Sequence, residues 1–341
     1  MRSITALAIL LTIAATLTGA ATAAEGNDRL HIVATTTQAA DVMTLISGGL
    51  VRVTGLMGAG VDPHLYQPTE SDIQALHRAD VVVYSGLHLE GQFDTVFKSL
   101  GERGVRVFAL AEPVERAGFV LDVLAPQQGR ASVPDPHFWF DPRNWQLSVT
   151  EAAALLAELD PDNADIYHAN AEAYNAQLDL LYEWADEAMQ RVPAGQRYLV
   201  TSHDAFQYFG AAFGWQVRGL QGISTQDEAG VADVQAIAGF VVEQQIPVMF
   251  VESSVSPNAI RAVQEAVRAR GFEVSLGVRE LYSDAMDEPG TFGGTYVGMI
   301  ATNVITILQS YGVALPDWPK GLEPTPPEDL WNWAADKALT G

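Results

Sequence analysis

The feature that most constrains the fold is one long helical pattern near the middle of the chain, residues 163–191. Apolar residues recur there at three- and four-residue spacing, and neither Gly nor Pro interrupts the run. A helix of nearly thirty residues is about 40 Å long, which is enough to cross both halves of a protein of this size. The pattern therefore predicts a rigid connector between two folded units.

Short β-branched runs alternate with helical stretches on both sides of this connector. The alternation predicts an α/β fold of two lobes, each a mainly parallel sheet flanked by helices, with the ligand site in the cleft between the lobes. We divide the chain into a signal peptide (1–24), an N-terminal α/β lobe (25–160), the long connecting helix (161–192) and a C-terminal α/β lobe (193–341). The predicted strands are residues 30–35, 51–57, 80–84, 105–110, 197–201, 215–220, 248–251 and 272–276.

The N-terminus has the pattern of an export signal. Met1 and Arg2 form a short positive region, residues 6–15 form an apolar run, and Ala21-Thr22-Ala23 offers a small-residue cleavage site. The run is shorter than the roughly 20 residues that a membrane span needs. We therefore expect a cleaved signal peptide and a protein located in a bacterial periplasm.

Cysteine and charge exclude several classes of protein. The sequence has no cysteine, so we expect neither a lipid anchor on cysteine nor disulfides, and a metal site would have to use nitrogen and oxygen ligands. Lys and Arg number 19 against 42 Asp and Glu, a net charge of −23. Such a charge opposes binding to nucleic acid and to anionic membranes. We expect a monomer.

The phrase Asp-Pro-His occurs twice, at residues 62–64 and 135–137. Proline restricts its own backbone and that of the residue before it, so both phrases present an imidazole on a stiff segment. Neutral imidazole is the commonest metal ligand in proteins. The alternative reading is two unrelated loops that carry surface histidines.

Two further candidates belong to the second lobe. His203 directly follows the predicted strand 197–201, and Asp284 lies in a loop beyond the last predicted strand. Together with His64 and His137 they would form a cleft site of three nitrogens and one anionic oxygen. This set suits Zn²⁺, and it suits Mn²⁺ or Fe²⁺ if the carboxylate binds through both oxygens.

A periplasmic zinc metallohydrolase is the main rival hypothesis, with Glu252 as a general base. A fourth protein ligand would remove the open coordination position that catalysis needs, and the sequence has no H-E-x-x-H motif. We therefore predict that the protein is not an enzyme. A metal buffer or an adhesin is a third alternative.

Several segments resemble the zinc- and manganese-binding solute-binding proteins of bacterial ABC transporters, of the TroA/ZnuA type. The similarity covers essentially the whole mature chain, and its motifs occur in the order of that family: DPHLYQPTESDIQAL, YSGLHLEG, DPHFWFDPRN, VTSHDAFQYFG, GLQGISTQDEA, FVESS and YSDAMDEPGTFGGTYVGMI. The resemblance implies two α/β lobes joined by one long helix, with metal ligands at His64, His137, His203 and Asp284. It implies delivery of the metal to an ABC-transporter permease in the membrane. A periplasmic metal chaperone is a further candidate partner.

The resemblance also bears on the metal. Members similar to the manganese binders often have Glu where this chain has His203, which favours zinc. Zinc-uptake members typically carry a long His-rich loop before the second ligand, whereas residues 112–134 contain no histidine. GLQGISTQDEA and the SDAM stretch resemble most the treponemal-type members, for which the family allows both zinc and manganese. We expect Zn²⁺ first and Mn²⁺ second, an affinity that falls below about pH 6, and a local loop opening around Asp284.

Overall fold

The structure, a computed structural model, describes residues 29–123 and 133–332. The predicted signal peptide lies outside the described residues, and so does part of the histidine-free interval before His137. Within these two ranges, no helix has both the length and the apolar character that a membrane span requires.

Four parallel strands form the first sheet. Its two central strands are buried along almost their whole length, which explains why Val81–Tyr84 reads as a continuous apolar run. The strands are β1 (His31–Ala34), β2 (Arg52–Gly55), β3 (Val81–Tyr84) and β4 (Arg106–Ala109), and their order in the sheet is β2-β1-β3-β4.

Helices connect these strands, as parallel pairing requires. The helix Glu70–His77 begins at the predicted cap: the Thr69 hydroxyl accepts from the backbone N–H of Asp72 at 3.3 Å, and the Asp72 carboxylate accepts from that of Thr69 at 2.7 Å. This cap ends the loop that carries His64. The helices are α1 (Thr37–Ser47), α2 (Glu70–His77), α3 (Asp94–Glu102), α4 (Glu112–Arg116) and α5 (Pro142–Leu159).

The second half repeats this arrangement. Its strands form two parallel pairs, and the backbone N–H of Phe250 donates to Val200 O at 2.8 Å between the pairs. The resulting order is the same as in the first sheet. The strands are β7 (Tyr198–Thr201), β8 (Gln216–Gly219), β9 (Val248–Met249) and β10 (Ser275–Leu276), after a short antiparallel pair, β5 (Asp122–Val123) and β6 (Val133–Pro134). The helices are α7 (Gln207–Phe213), α8 (Val231–Glu243), α9 (Asn258–Arg268), α10 (Tyr296–Ser310) and α11 (Glu328–Trp331).

One long helix, α6 (Ala164–Gln190), connects the two halves, close to the predicted bounds. It packs against α1 and α5 of the first half and against α7 and α10 of the second. The α/β fold of parallel sheets, flanking helices and one long helix is thus confirmed.

One continuous apolar core, the largest of three apolar clusters in the described residues, runs through both halves along α6. It includes Ile32 of β1, Met43 of α1, Leu178 of α6, Leu199 of β7 and Ile300 of α10, all fully buried. The lobe boundaries that we place at residues 160 and 193 stay a prediction, because this core is continuous across them. Close packing of this kind opposes a large movement of one half against the other.

A separate apolar cluster lies between the second sheet and the helix pair α8 and α9, and it includes Val200, Val241 and Val263. The segment 221–230 leads from β8 into α8 and therefore lies at the border of this cluster, outside the continuous core.

Candidate metal centre

His64 lies in the loop between β2 and α2, beyond the carboxyl end of its strand. The Asp62 carboxylate accepts a hydrogen bond from the backbone N–H of His64 at 2.8 Å, which forms a tight turn around Pro63. The side chain is almost fully buried. Its Nε2 atom lies 3.4 Å from the Nε2 atom of His137.

His137 is the last residue of the second Asp-Pro-His phrase and precedes a short 3₁₀ turn, Phe138–Phe140, whose aromatic residues are buried. One oxygen of Asp135 accepts from the backbone N–H of His137 at 2.9 Å and contacts its Nδ1 at 2.7 Å. This contact places the proton of the neutral ring on Nδ1 and directs Nε2 towards the site.

His203 follows β7 with one residue between, at the carboxyl end of the strand. Glu252 holds it through both oxygens: Oε1 accepts from the backbone N–H at 2.8 Å, and Oε2 lies 2.5 Å from Nδ1. Both side chains are buried. As Asp135 does for His137, the Glu252 carboxylate leaves Nε2 of His203 free to bind a metal ion.

Asp284 completes the group from a loop that follows the isolated bridge between Glu252 and Leu281. Its Oδ1 lies 3.3 Å from Nε2 of His137, and its Oδ2 lies 3.2 Å from Nε2 of His203 and 3.9 Å from Nε2 of His64. Both oxygens therefore face the three imidazoles.

The structure thus brings together all four residues that the sequence singled out. Their ligand atoms lie within 4.8 Å of one another, and all four side chains are buried. Two atoms bound to one tetrahedral Zn²⁺ at about 2.1 Å each are about 3.4 Å apart, close to the shorter separations here. His203 Nε2 and both Asp284 oxygens are buried without a hydrogen-bond partner in the described part of the chain. A cation at the centre would satisfy these atoms.

Buried carboxylates raise the pKa values of two of the histidines. Burial lowers the pKa of His137, but Asp135 and Asp284 raise it by more, to about 9. Burial also lowers the pKa of His203, but Asp284 and Glu252 raise it by more, so this pKa lies well above its ordinary value. A divalent cation must therefore displace protons from both rings.

The other two groups shift in the opposite direction. Burial raises the pKa of Asp284, but the neighbouring His203 and His137 lower it by more, so it lies well below its ordinary value. Burial lowers the pKa of His64 to about 3, against a smaller opposing effect of Asp284. Asp284 is thus ionised and His64 is neutral at physiological pH.

Two residues that orient the ligands were missed by the sequence reasoning. Asp135 belongs to the Asp-Pro-His phrase itself, which is a local signal for its contact with His137. Glu252 lies 49 residues from His203, and the sequence suggested it only as the general base of a hydrolase. No local pattern connects the two residues.

His88, which also follows a strand, lies away from the metal centre. Its side chain is 75% exposed, and its Nδ1 contacts the Asp94 carboxylate at 3.0 Å. Its position on the surface makes it a matched control for the buried histidines.

Comparison with known proteins agrees with the fold and identifies the family. A family model described as "ZnuA: Zinc-uptake complex component A periplasmic" matches residues 32–310. The manganese-binding lipoprotein MntA of Bacillus subtilis is 42% identical over 297 residues, which cover 86% of this chain and 94% of that protein. The zinc-binding protein TroA of Treponema pallidum is 42% identical over 278 residues, 81% of this chain and 87% of that protein.

The solved structure of the periplasmic zinc-binding protein TroA from Treponema pallidum superposes with a TM-score of 0.75 at 40% sequence identity. It covers 83% of this chain and 99% of the TroA chain. The two-lobe fold predicted from the sequence is thereby confirmed. The extent of the family match and the identity of the relatives lead to one conclusion: the chain belongs to the family of periplasmic component A proteins of zinc-uptake complexes.

Proposed function

We propose that this protein is the extracytoplasmic substrate-binding component of an ABC transporter. It captures Zn²⁺ with His64, His137, His203 and Asp284 and delivers the ion to a membrane permease; Mn²⁺ is the alternative cargo. One observation carries the proposal: three imidazole Nε2 atoms and a carboxylate from four separate loops converge within 4.8 Å in a buried site.

The donor set favours zinc. Three neutral nitrogens and one carboxylate match the tetrahedral coordination of Zn²⁺, and the third position is His203 rather than a second carboxylate. Manganese would need both Asp284 oxygens, and both do face the centre. Relatives of equal identity are named for manganese and for zinc, so similarity does not discriminate between the two metals.

The contacts of Glu252 speak against the rival hydrolase. Both of its oxygens are engaged by His203, so neither is directed at a water molecule as a general base would be. Asp284 would also occupy the fourth coordination position of an ion bound by the three histidines. The arrangement fits reversible capture of an ion without chemistry.

We also propose export by the predicted signal peptide into the periplasm. MntA of Bacillus subtilis is named a lipoprotein, whereas this sequence contains no cysteine. Fractionation of producing cells tests this point, since release of the protein by osmotic shock is expected for a free periplasmic protein.

A competitive titration of the metal-stripped mature protein tests the function. Zn²⁺ and Mn²⁺ are added against a chelator of known affinity, and one equivalent of Zn²⁺ should bind far more tightly than Mn²⁺. Comparable affinities would indicate manganese as the cargo, because the ordinary order of metal affinities favours zinc. Absence of stoichiometric binding of both metals would refute the proposal.

Asp284→Ala distinguishes a binding protein from a hydrolase. A binding protein should lose zinc affinity, whereas a catalytic site would keep its metal on three histidines and gain an open position. Glu280→Ala removes an exposed carboxylate a few residues away and should leave the affinity unchanged.

A further inference from the structure

The three histidines of the metal centre are not held in the same way. The Nδ1 atoms of His137 and His203 each contact a buried carboxylate. The Nδ1 atom of His64 forms no hydrogen bond with any described residue. Asp62, the counterpart of Asp135, accepts a hydrogen bond from the backbone N–H of His64 but none from its ring. The ring of His64 therefore depends on its loop for its position.

The loop of His64 is held from the other side of the cleft. Thr225 Oγ1 donates to Asp62 Oδ2 at 2.6 Å, and Gln226 Nε2 donates to the backbone oxygen of His64 at 3.0 Å. Thr225 is buried. Asp62 thus joins the turn around His64 to a segment more than 160 residues further along the chain.

Few other bonds hold that segment in place. Apart from the bonds of Thr225 and Gln226, the segment 223–229 makes one other hydrogen bond to the rest of the described residues. In it, the side chain of Gln221 donates to Asp227 O. A cavity of about 540 Å³ lies beside it, and both Asp62 and Thr225 line this cavity. The segment therefore has space into which it can move.

The opposite side of the site is anchored more firmly. Gln38 Nε2 donates to Asp284 O at 3.1 Å, Thr37 Oγ1 accepts from the backbone N–H of Met286 at 2.9 Å, and Trp139 Nε1 donates to Ser283 O at 3.3 Å. All three bonds are buried, and Thr37 and Gln38 belong to α1 in the continuous core. These contacts disfavour the local opening around Asp284 that we expect from the sequence.

We propose that the two hydrogen bonds from Thr225 and Gln226, here called the latch, close the His64 side of the metal centre and control the release of the ion. Release then begins when the latch breaks and His64 leaves with its loop, while His137, His203 and Asp284 stay in place. Thr225 and Gln226 are positioning residues that touch no metal. The inference about release rests on the proposed function.

Rates of metal release test the latch. The zinc-loaded protein is mixed with excess chelator in a stopped-flow instrument, and Thr225→Val and Gln226→Leu are compared with the wild type. Each variant removes one neutral hydrogen bond of the closed state, so we expect release to be about fivefold to tenfold faster. Thr225→Ser keeps the hydroxyl that donates to Asp62, and this variant should release metal at the wild-type rate. Gln221→Leu removes the other hydrogen bond of the segment 223–229, which touches neither Asp62 nor His64, and should leave the rate unchanged.

Hydrogen–deuterium exchange of the metal-free protein tests the latch without any metal. Thr225→Val and Gln226→Leu should increase exchange in 58–68 and 223–229 but not in 281–287. If the wild type binds no metal, the proposed function fails. Hydrogen–deuterium exchange still decides in that case whether the latch closes the loop that carries His64. Unchanged release and unchanged exchange in both variants would overturn the inference. Equal acceleration by Gln221→Leu would overturn it too, since general loosening of the segment would then explain the effect.

Discussion

The Nε2 atoms of His64 and His137 face each other 3.4 Å apart in a buried site. Two neutral imidazoles that both present a lone pair would repel at this distance, so a proton or a cation must lie between them. Protonation of His137 satisfies the contact in the metal-free protein, and a shared metal ion satisfies it in the loaded protein. Under the proposed function, this pair couples metal capture to the release of the proton that lies between the two rings.

Loss of a proposed ligand should abolish tight binding. His137→Ala removes one of four donors and leaves Asp284 and Asp135 without their partner, so we expect zinc affinity to fall by more than about 100-fold, beyond the effect of losing an orienting residue. Chelator competition measures the change. His88→Ala removes an exposed histidine and should leave the affinity unchanged. Equal affinity of the two variants would contradict the assignment of His137.

Glu252 should matter although it touches no metal. Glu252→Gln removes the charge that orients His203 and keeps the shape of the side chain, so we expect an affinity loss of about 10- to 100-fold. The same titration provides the measurement, with Glu280→Gln as the exposed control. An unchanged affinity would mean that the carboxylate serves stability alone, which thermal unfolding of the metal-free variant would reveal.

Zinc binding should release protons at neutral pH. The pKa of His137 is raised to about 9 and that of His203 well above its ordinary value, so both rings carry a proton at pH 7 in the metal-free protein. Each must lose it to bind metal, so we expect release of about two protons per Zn²⁺.

The two raised pKa values move the expected pH dependence of the zinc affinity to higher pH. Ordinary imidazoles predict a loss of affinity only below about pH 6, whereas the buried pairs predict that affinity already falls as the pH drops below about 9. His64, with a pKa of about 3, contributes nothing above about pH 4. Calorimetric titration in buffers of different ionisation enthalpy counts the protons; a count of zero at pH 7 would refute the ion pairing.

The same pairing predicts how pH affects the metal-free protein. A histidine with a pKa raised on folding stabilises the folded state fully below its unfolded pKa of about 6.5, and this contribution disappears as the pH rises through the folded value. For His137 the window extends from about pH 6.5 to 9. We expect the Tm of the metal-free protein to fall across it, and to fall less in His137→Gln. Parallel pH profiles of the two proteins would contradict this.

Local signals in the sequence determined much of this protein. The alternation of short strands with helices and the uninterrupted run 163–191 determined the fold class, because hydrophobic periodicity reports directly on secondary structure. Each predicted ligand also has a local signal: His64 and His137 follow a proline, His203 follows a strand, and Asp284 lies in a loop beyond the last strand.

Only the tertiary structure decided what holds these ligands. Glu252 on His203, Gln38 on the Asp284 loop and Thr225 on Asp62 join residues 49 to 246 positions apart. No periodicity or spacing encodes such contacts, since they arise from the packing of one element on another. The raised pKa of His203 belongs to the same category, because Asp284 and Glu252, which raise it, are both distant in sequence. Chain-local chemistry thus selected the donors, and long-range packing determined their protonation and which side of the site is held by the fewest contacts.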